Sequence, residues 1–164
     1  MILRYSSERS SMRALVVLSM LALVATVAVA QDSGPKGIPA SAVKWGPAPD
    51  VLPKGGQMAA LSGDPGKTGW FTVRLKMPAG YKVPAHQHPH TERITVISGE
   101  LHFGTGDKLD EKTANKLGPG GFVDLPANTN HYAFSKLTTI VQITGEGPFG
   151  IKYVNPVDDP SKKQ

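Results

Sequence analysis

Ala85-His86-Gln87-His88-Pro89-His90-Thr91-Glu92 packs three of the chain's five histidines into five residues and closes on a carboxylate. Alternate residues of a β-strand face one side, so His86 and His88 can present their imidazoles to one interior point. Pro89 has no N–H to give to a ladder, which predicts that the strand ends there and the chain turns. Glu92 can then return to the same point from the next strand. Two nitrogens and one carboxylate from adjacent strands form a set suited to divalent first-row metals with open coordination positions. A lone strand histidine is more often a satisfied polar residue, and a His-rich tract can be a surface accident. A second window weighs against both: Gly120-Gly121-Phe122-Val123-Asp124-Leu125-Pro126-Ala127-Asn128-Thr129-Asn130-His131 reads as glycine turn, strand, proline turn, and a histidine opening a strand.

The sequence around these windows has a period of two. Phe71, Val73, Leu75 and Met77 alternate with Thr72, Arg74 and Lys76, the pattern of a half-buried strand, and Pro78-Ala79-Gly80 breaks it. Further strand-like runs cover 93–98, 101–103, 121–125, 131–135, 137–144 and 149–154. Turn signals separate them: Ser98-Gly99, Gly104-Thr105-Gly106-Asp107, Gly118-Pro119-Gly120-Gly121 and Gly145-Glu146-Gly147-Pro148. After the leader described below, no long segment has helical periodicity; only residues 108–115 could make a helical turn. Six or seven short strands at this spacing predict an all-β antiparallel sandwich or barrel. Gly104 and Gly106 open no helix and precede no Gly-Lys-Ser/Thr, so they read as a hairpin turn and not as a phosphate loop.

Composition narrows the chemistry. With 164 residues there is room for one domain, and with no cysteine there is no disulfide scaffold, thiolate metal site or cysteine nucleophile. Residues 1–30 read as a secretory signal peptide: Arg4, Arg9 and Arg13 at the start, an apolar run from Ala14 to Val29, and Ala28-Val29-Ala30 before Gln31. The run is shorter than the roughly 20 residues of a membrane crossing, so no stable membrane anchor is expected after cleavage. Met12 is an alternative start. Export implies a periplasmic or extracellular protein. Cleavage would lower the formal charge from +5 to +3, and the scattered lysines lack interleaved aromatics, so nucleic acid is not an expected partner. The expected organisation is a signal peptide (1–30), an extended Gly/Pro-rich arm (31–57), a β-barrel (58–156) and a tail (157–164).

Gly80-x5-His86-x-His88-x3-Glu92-x6-Gly99 resembles the first signature of the cupin superfamily, and Gly120-x5-Pro126-x-Asn128-x2-His131 resembles the second. Asn128 stands where the family usually has Gly, and Ser135 where it often has Asn. Asn tolerates positive φ better than most side chains, so the turn can survive the first change. The resemblance spans about 72–154. It implies a small antiparallel β-barrel, a jelly roll, with a metal inside one mouth and His86, His88, Glu92 and His131 as its ligands. Three imidazoles and a carboxylate suit Fe, Mn, Ni, Cu, Co or Zn better than Ca or Mg.

Outside that set, His90 reads as a turn residue or a helper acid or base, and His102 as a packing histidine. Tyr132 and Gln142 are candidates for the pocket mouth. Ile94 and Val96 should share the inward face of Glu92. Phe71, Val73, Leu75, Val123, Leu125, Ala133 and Phe134 are wall candidates. The leading expectation is an exported metal-dependent protein acting on a small molecule, an oxidoreductase of dioxygenase type; the alternative is a non-catalytic module that binds a metal or metabolite. Catalytic residues beyond the ligands are not identified. A homodimer is expected from the resemblance alone.

Overall fold

The computed structural model describes residues 37–162. The segment read as a signal peptide lies outside the described residues. Among the described residues no helix is long and apolar enough to cross a membrane.

The alternation at 71–77 becomes β3 (Gly69–Met77), with Phe71, Val73, Leu75 and Met77 buried and Trp70 exposed on the other face. β3 pairs antiparallel with β10 (Thr139–Gly147) from Met77↔Thr139 to Gly69↔Gly147. On its other side β10 pairs with β5 (Glu92–Ser98), and β5 pairs with β8 (Phe122–Leu125). β1 (Gly46–Pro47) and β2 (Gln57–Ser62) complete a six-stranded sheet in the order β1-β2-β3-β10-β5-β8. The second sheet runs β11-β4-β9-β6-β7, built from β4 (Lys82–Gln87), β6 (Leu101–Thr105), β7 (Asn115–Leu117), β9 (His131–Phe134) and β11 (Lys152–Tyr153). Leu75, Met77, Val83, Ile94, Val96, Leu101 and Val141 join in one apolar cluster fed by both sheets. The fold is the jelly-roll β-barrel that the sequence pattern and the resemblance predicted.

Two turns show why their residues are there. Gly99, between β5 and β6, has φ +81°, and a Cβ on it would sit 2.5 Å from the Thr138 carbonyl oxygen. Asn128 adopts φ +61°, the left-handed conformation that its position requires. Ser135 is fully buried; its hydroxyl donates to the Pro78 carbonyl at 2.9 Å and ties the end of β9 to the turn after β3.

The strand inventory differs from the expectation in three places. Of residues 108–115, read as a possible helical turn, 108–114 form a bend and a turn and Asn115 already opens β7, because β7 finds a partner in β6 from Phe103↔Asn115 to Leu101↔Leu117. β2 had no period-two signal; its Met-Ala-Ala-Leu core forms a strand through pairing with β3. The run at 149–154 reduces to the two-residue β11, since Phe149, Gly150 and Ile151 make a loop over the barrel mouth. Residues 49–52 of the arm are also bound to the mouth. The Tyr153 hydroxyl donates to the Val51 carbonyl at 2.8 Å and the Tyr81 hydroxyl to the Pro53 carbonyl at 2.6 Å.

Candidate metal centre

β4 carries His86 at its end and His88 just beyond it, and the strand contains an irregularity that decides where they point. Val83 pairs with Ala133 and His86 with His131, so the register shifts between them, at Pro84 and Ala85. Strict alternation from inward-facing Val83 would send His86 and His88 outward. The bulge flips the parity, and Val83, His86 and His88 all line one cavity. Pro84 is tolerated within the strand because the ladder is interrupted there. Glu92 opens β5 and His131 opens β9, on opposite sheets, and both face the same cavity. The four side chains are between 3% and 7% exposed.

Each imidazole is fixed through its Nδ1. His86 Nδ1 donates to the Pro84 carbonyl at 2.7 Å, His88 Nδ1 to the Gly150 carbonyl at 2.7 Å, and His131 Nδ1 to the Thr129 carbonyl at 2.9 Å. A carbonyl can only accept, so the proton of each neutral ring sits on Nδ1 and the Nε2 lone pair is left free to bind a cation. Phe149 stacks on His88 with centroids 4.1 Å apart and holds that ring flat. The three histidines offer one ligating atom each within 4.8 Å of one another. That is close to the span of two metal–nitrogen bonds of ~2.1 Å.

Glu92 lies beside this triplet. Its Oε2 is 3.1 Å from His131 Nε2 and 3.5 Å from His88 Nε2. All three atoms are buried without a hydrogen-bond partner. With Nδ1 protonated, a neutral His131 ring turns a lone pair toward a carboxylate oxygen at 3.1 Å. Only positive charge between them, a proton or a metal ion, makes that contact favourable. The donor chemistry therefore fits a divalent transition-metal ion, which would be held by His86, His88 and His131 with Glu92 as the neutralising oxygen donor.

The electrostatics agree. Burial, reinforced by the neighbouring His131 and His88, pushes the His86 imidazole down to about 3. Burial likewise lowers His88, against the pull of Glu92. For Glu92, burial pushes the carboxyl up, but the surrounding histidines more than offset it and hold it below the ordinary carboxylate range. Burial pushes His131 down, and the facing Glu92 carboxylate overcomes this and raises it. A carboxylate beside two rings kept neutral is a set prepared to receive a cation.

The candidate helper residues sit elsewhere. His90 is half-buried in the bend after Pro89 and does not line the cavity. Tyr132 lies on the opposite face of β9 from His131; its hydroxyl donates to the Asp110 carbonyl at 3.0 Å. Gln142 alternates with the wall residues Val141 and Ile143 and so faces outward, where its Oε1 accepts from Arg74 Nε at 3.3 Å. His102 is a packing residue, stacked on Phe134 at 4.6 Å and bonded to Glu100 Oε1 at 2.7 Å. Phe71, Val73, Leu75, Ala133 and Ile94 line the cavity; Val96 and Leu125 belong to the core beyond it, and Phe134 lies on the opposite face of β9, buried against His102. Sequence reading missed Phe149 and the arm residues Val51 and Leu52 as wall elements, because no periodicity marks a loop that folds back over a mouth.

The profile of the ChrR cupin-like domain matches residues 34–149. The chain belongs to this cupin family. Solved structures agree on the fold. This cupin is similar to the polyketide cyclase RemF from Streptomyces resistomycificus, at 17% identity and a TM-score of 0.65 over 79% of this chain and 92% of that one. It is also similar to a proposed acetylacetone dioxygenase from Methylibium petroleiphilum, at 19% identity and a TM-score of 0.59 over 77% and 85% of the two chains. An RmlC-like cupin from Ralstonia eutropha aligns at 19% identity and a TM-score of 0.56 over 72% of each chain. No curated protein sequence matches. Identities this low establish the shared architecture and nothing about the reaction.

Proposed function

We propose that this cupin is an exported protein that binds a small molecule at a single divalent transition-metal ion, and that it acts as a metal-dependent oxidoreductase of dioxygenase type. The observation that supports it is the convergence of three Nδ1-anchored imidazoles on the unpartnered carboxylate of Glu92. When bound, such an ion supplies Lewis acidity and, where redox-active, a site for electron exchange, and four protein donors on a six-coordinate ion leave two positions for a ligand. The chain's own part is definable. Pro84, Thr129 and Gly150 carbonyls hold the rings in one tautomer, Glu92 balances the ion's charge, and the apolar wall keeps water from the bound ligand. Elemental analysis of the natively purified protein tests the ligand assignment: His86→Ala and His131→Ala should each lose the metal. Full metal occupancy in either variant would refute it.

A second reading is a binding module without turnover. It is favoured by the wall itself, which among the described residues offers no acid–base side chain beyond the four donors. A redox-active metal with exchangeable coordination positions supports the enzyme; a closed four-coordinate zinc supports the module. The wider proposal is a domain plan of leader (1–30), arm (31–57), barrel (58–156) and tail (157–164), with the leader removed on export to the periplasm or beyond. We further propose a homodimer. Ile97 and Phe122, on the neighbouring strands β5 and β8, are exposed on the outer face of the first sheet, where self-association would cover them. Light scattering that gives the monomer mass at micromolar concentration would exclude it.

A further inference from the structure

Among the described residues, no side chain that lines the cavity beyond His86, His88, His131 and Glu92 is charged, and none can donate a hydrogen bond. Among the described residues no lysine, arginine, amide, hydroxyl or second acid reaches this wall; Gln87, Asn128 and Lys152 line a separate recess on the far side of His88 and Ile151. Arg74 of β3 and Gln142 of β10 are turned outward and bonded to each other. The nearby backbone oxygens are used as well. Gly150 accepts from His88 Nδ1, and Val51 accepts from the Tyr153 hydroxyl. The cavity, open at its mouth, has a volume of about 150 Å³, the size of a cavity that takes up benzene in another protein.

We infer that the ligand is a small molecule with all its polar atoms in one chelating head, and with an uncharged, apolar body no larger than a six-membered carbon ring. The inference rests on the metal reading above and adds to it the chemical class of the ligand. The physical reason is desolvation. A hydroxyl away from the head would lose its water and find no partner, and a carboxylate or ammonium there would lose far more. Sugars, amino acids with polar side chains, and dicarboxylic acids whose second carboxylate lies away from the head are thereby excluded. An apolar body gains, since Phe71, Leu75, Ile94, Val141 and Ile143 meet it with carbon alone. Because a purely apolar wall rejects an added hydroxyl only modestly, discrimination is steepest against charge.

The test holds the head constant and varies the body. The full mature protein is loaded anaerobically with cobalt(II), and binding of three hydroxamates is measured by calorimetry and by the visible cobalt spectrum. Benzohydroxamate should bind at least tenfold more tightly than acetohydroxamate. 4-Carboxybenzohydroxamate should bind at least a hundredfold more weakly than benzohydroxamate. A loss below tenfold for the carboxylated ligand, or no gain from the ring, overturns the inference. A metal-free arm keeps the two readings separable. In the presence of chelator, benzene should shift the methyl resonances of Ile94, Val141 and Ile143. Failure of cobalt to bind refutes the metal reading only, whereas absent methyl shifts refute the apolar-body claim whether or not metal binds.

Discussion

The strongest quantitative consequence of the site concerns acid. Folding pushes the buried His86 imidazole down to about 3, from an ordinary value near 6.5. In the unfolded chain the ring therefore takes up a proton below pH 6.5, while in the folded chain it stays neutral until about pH 3. The unfolded state binds more protons across that window, so stability is present above pH 6.5 and is lost as the pH falls. Linkage gives a loss of about 2 kcal/mol from this one residue between pH 7 and pH 5, and about 3 kcal/mol by pH 4. A domain's total is about 5–15 kcal/mol, so one histidine removes a visible fraction of it. His131 moves the opposite way, because its raised value adds stability below pH 6.5 that is lost at higher pH. The perturbation that isolates His86 is therefore a comparison with His86→Gln, which cannot titrate. Urea unfolding with chelator present should show the wild-type midpoint falling by about 1 M more than the variant's between pH 7 and pH 5, for a slope near 2 kcal/mol per M. Equal pH dependence of the two proteins would show that His86 is not held neutral by burial, and the account of the prepared donor set would fail with it.

Other consequences follow from single residues. Glu92→Gln keeps the shape but removes the neutralising charge; metal affinity measured by competition with a chelator should fall at least tenfold. An unchanged affinity would leave only the three histidines as ligands. Gly99→Ala forces a Cβ onto φ +81° and against the Thr138 carbonyl at 2.5 Å. It should cost about 2 kcal/mol or more, read as a lower Tm, and an unchanged Tm would refute the tight-turn account. Tyr153→Phe leaves the Val51 carbonyl without its hydroxyl partner and should cost about 1–2 kcal/mol. Limited proteolysis within residues 49–53 should then be faster, and unchanged cleavage would show that the arm is held by other contacts.

What the sequence determined by itself was every feature that depends on near neighbours. The alternation of Phe71, Val73, Leu75 and Met77 against Thr72, Arg74 and Lys76 specified β3 and its buried face. The alternation in β5 put Ile94 and Val96 inward with Glu92. The spacing of His86, His88 and Glu92 marked three donors that could meet, and the resemblance to the two cupin signatures, with turns at Gly99 and Asn128, added His131. Period and turn chemistry are local, and a single chain carries them in full.

Tertiary structure decided everything that needs a distant partner. The bulge at Pro84 and Ala85 re-aimed His86 and His88, and only the pairing with β9 reveals where that register slips. Gly150, which fixes the tautomer of His88, is 62 residues away along the chain. Tyr132 and Gln142 looked like pocket residues until their strands' inward faces were assigned by His131 and by Val141 with Ile143. β2 and β7 carry almost no pattern of their own and exist because β3 and β6 offer them unpaired backbone. The apolar lid of Phe149 and the arm belongs to the same class, since a loop's burial is set by the mouth it happens to cover and not by its own periodicity.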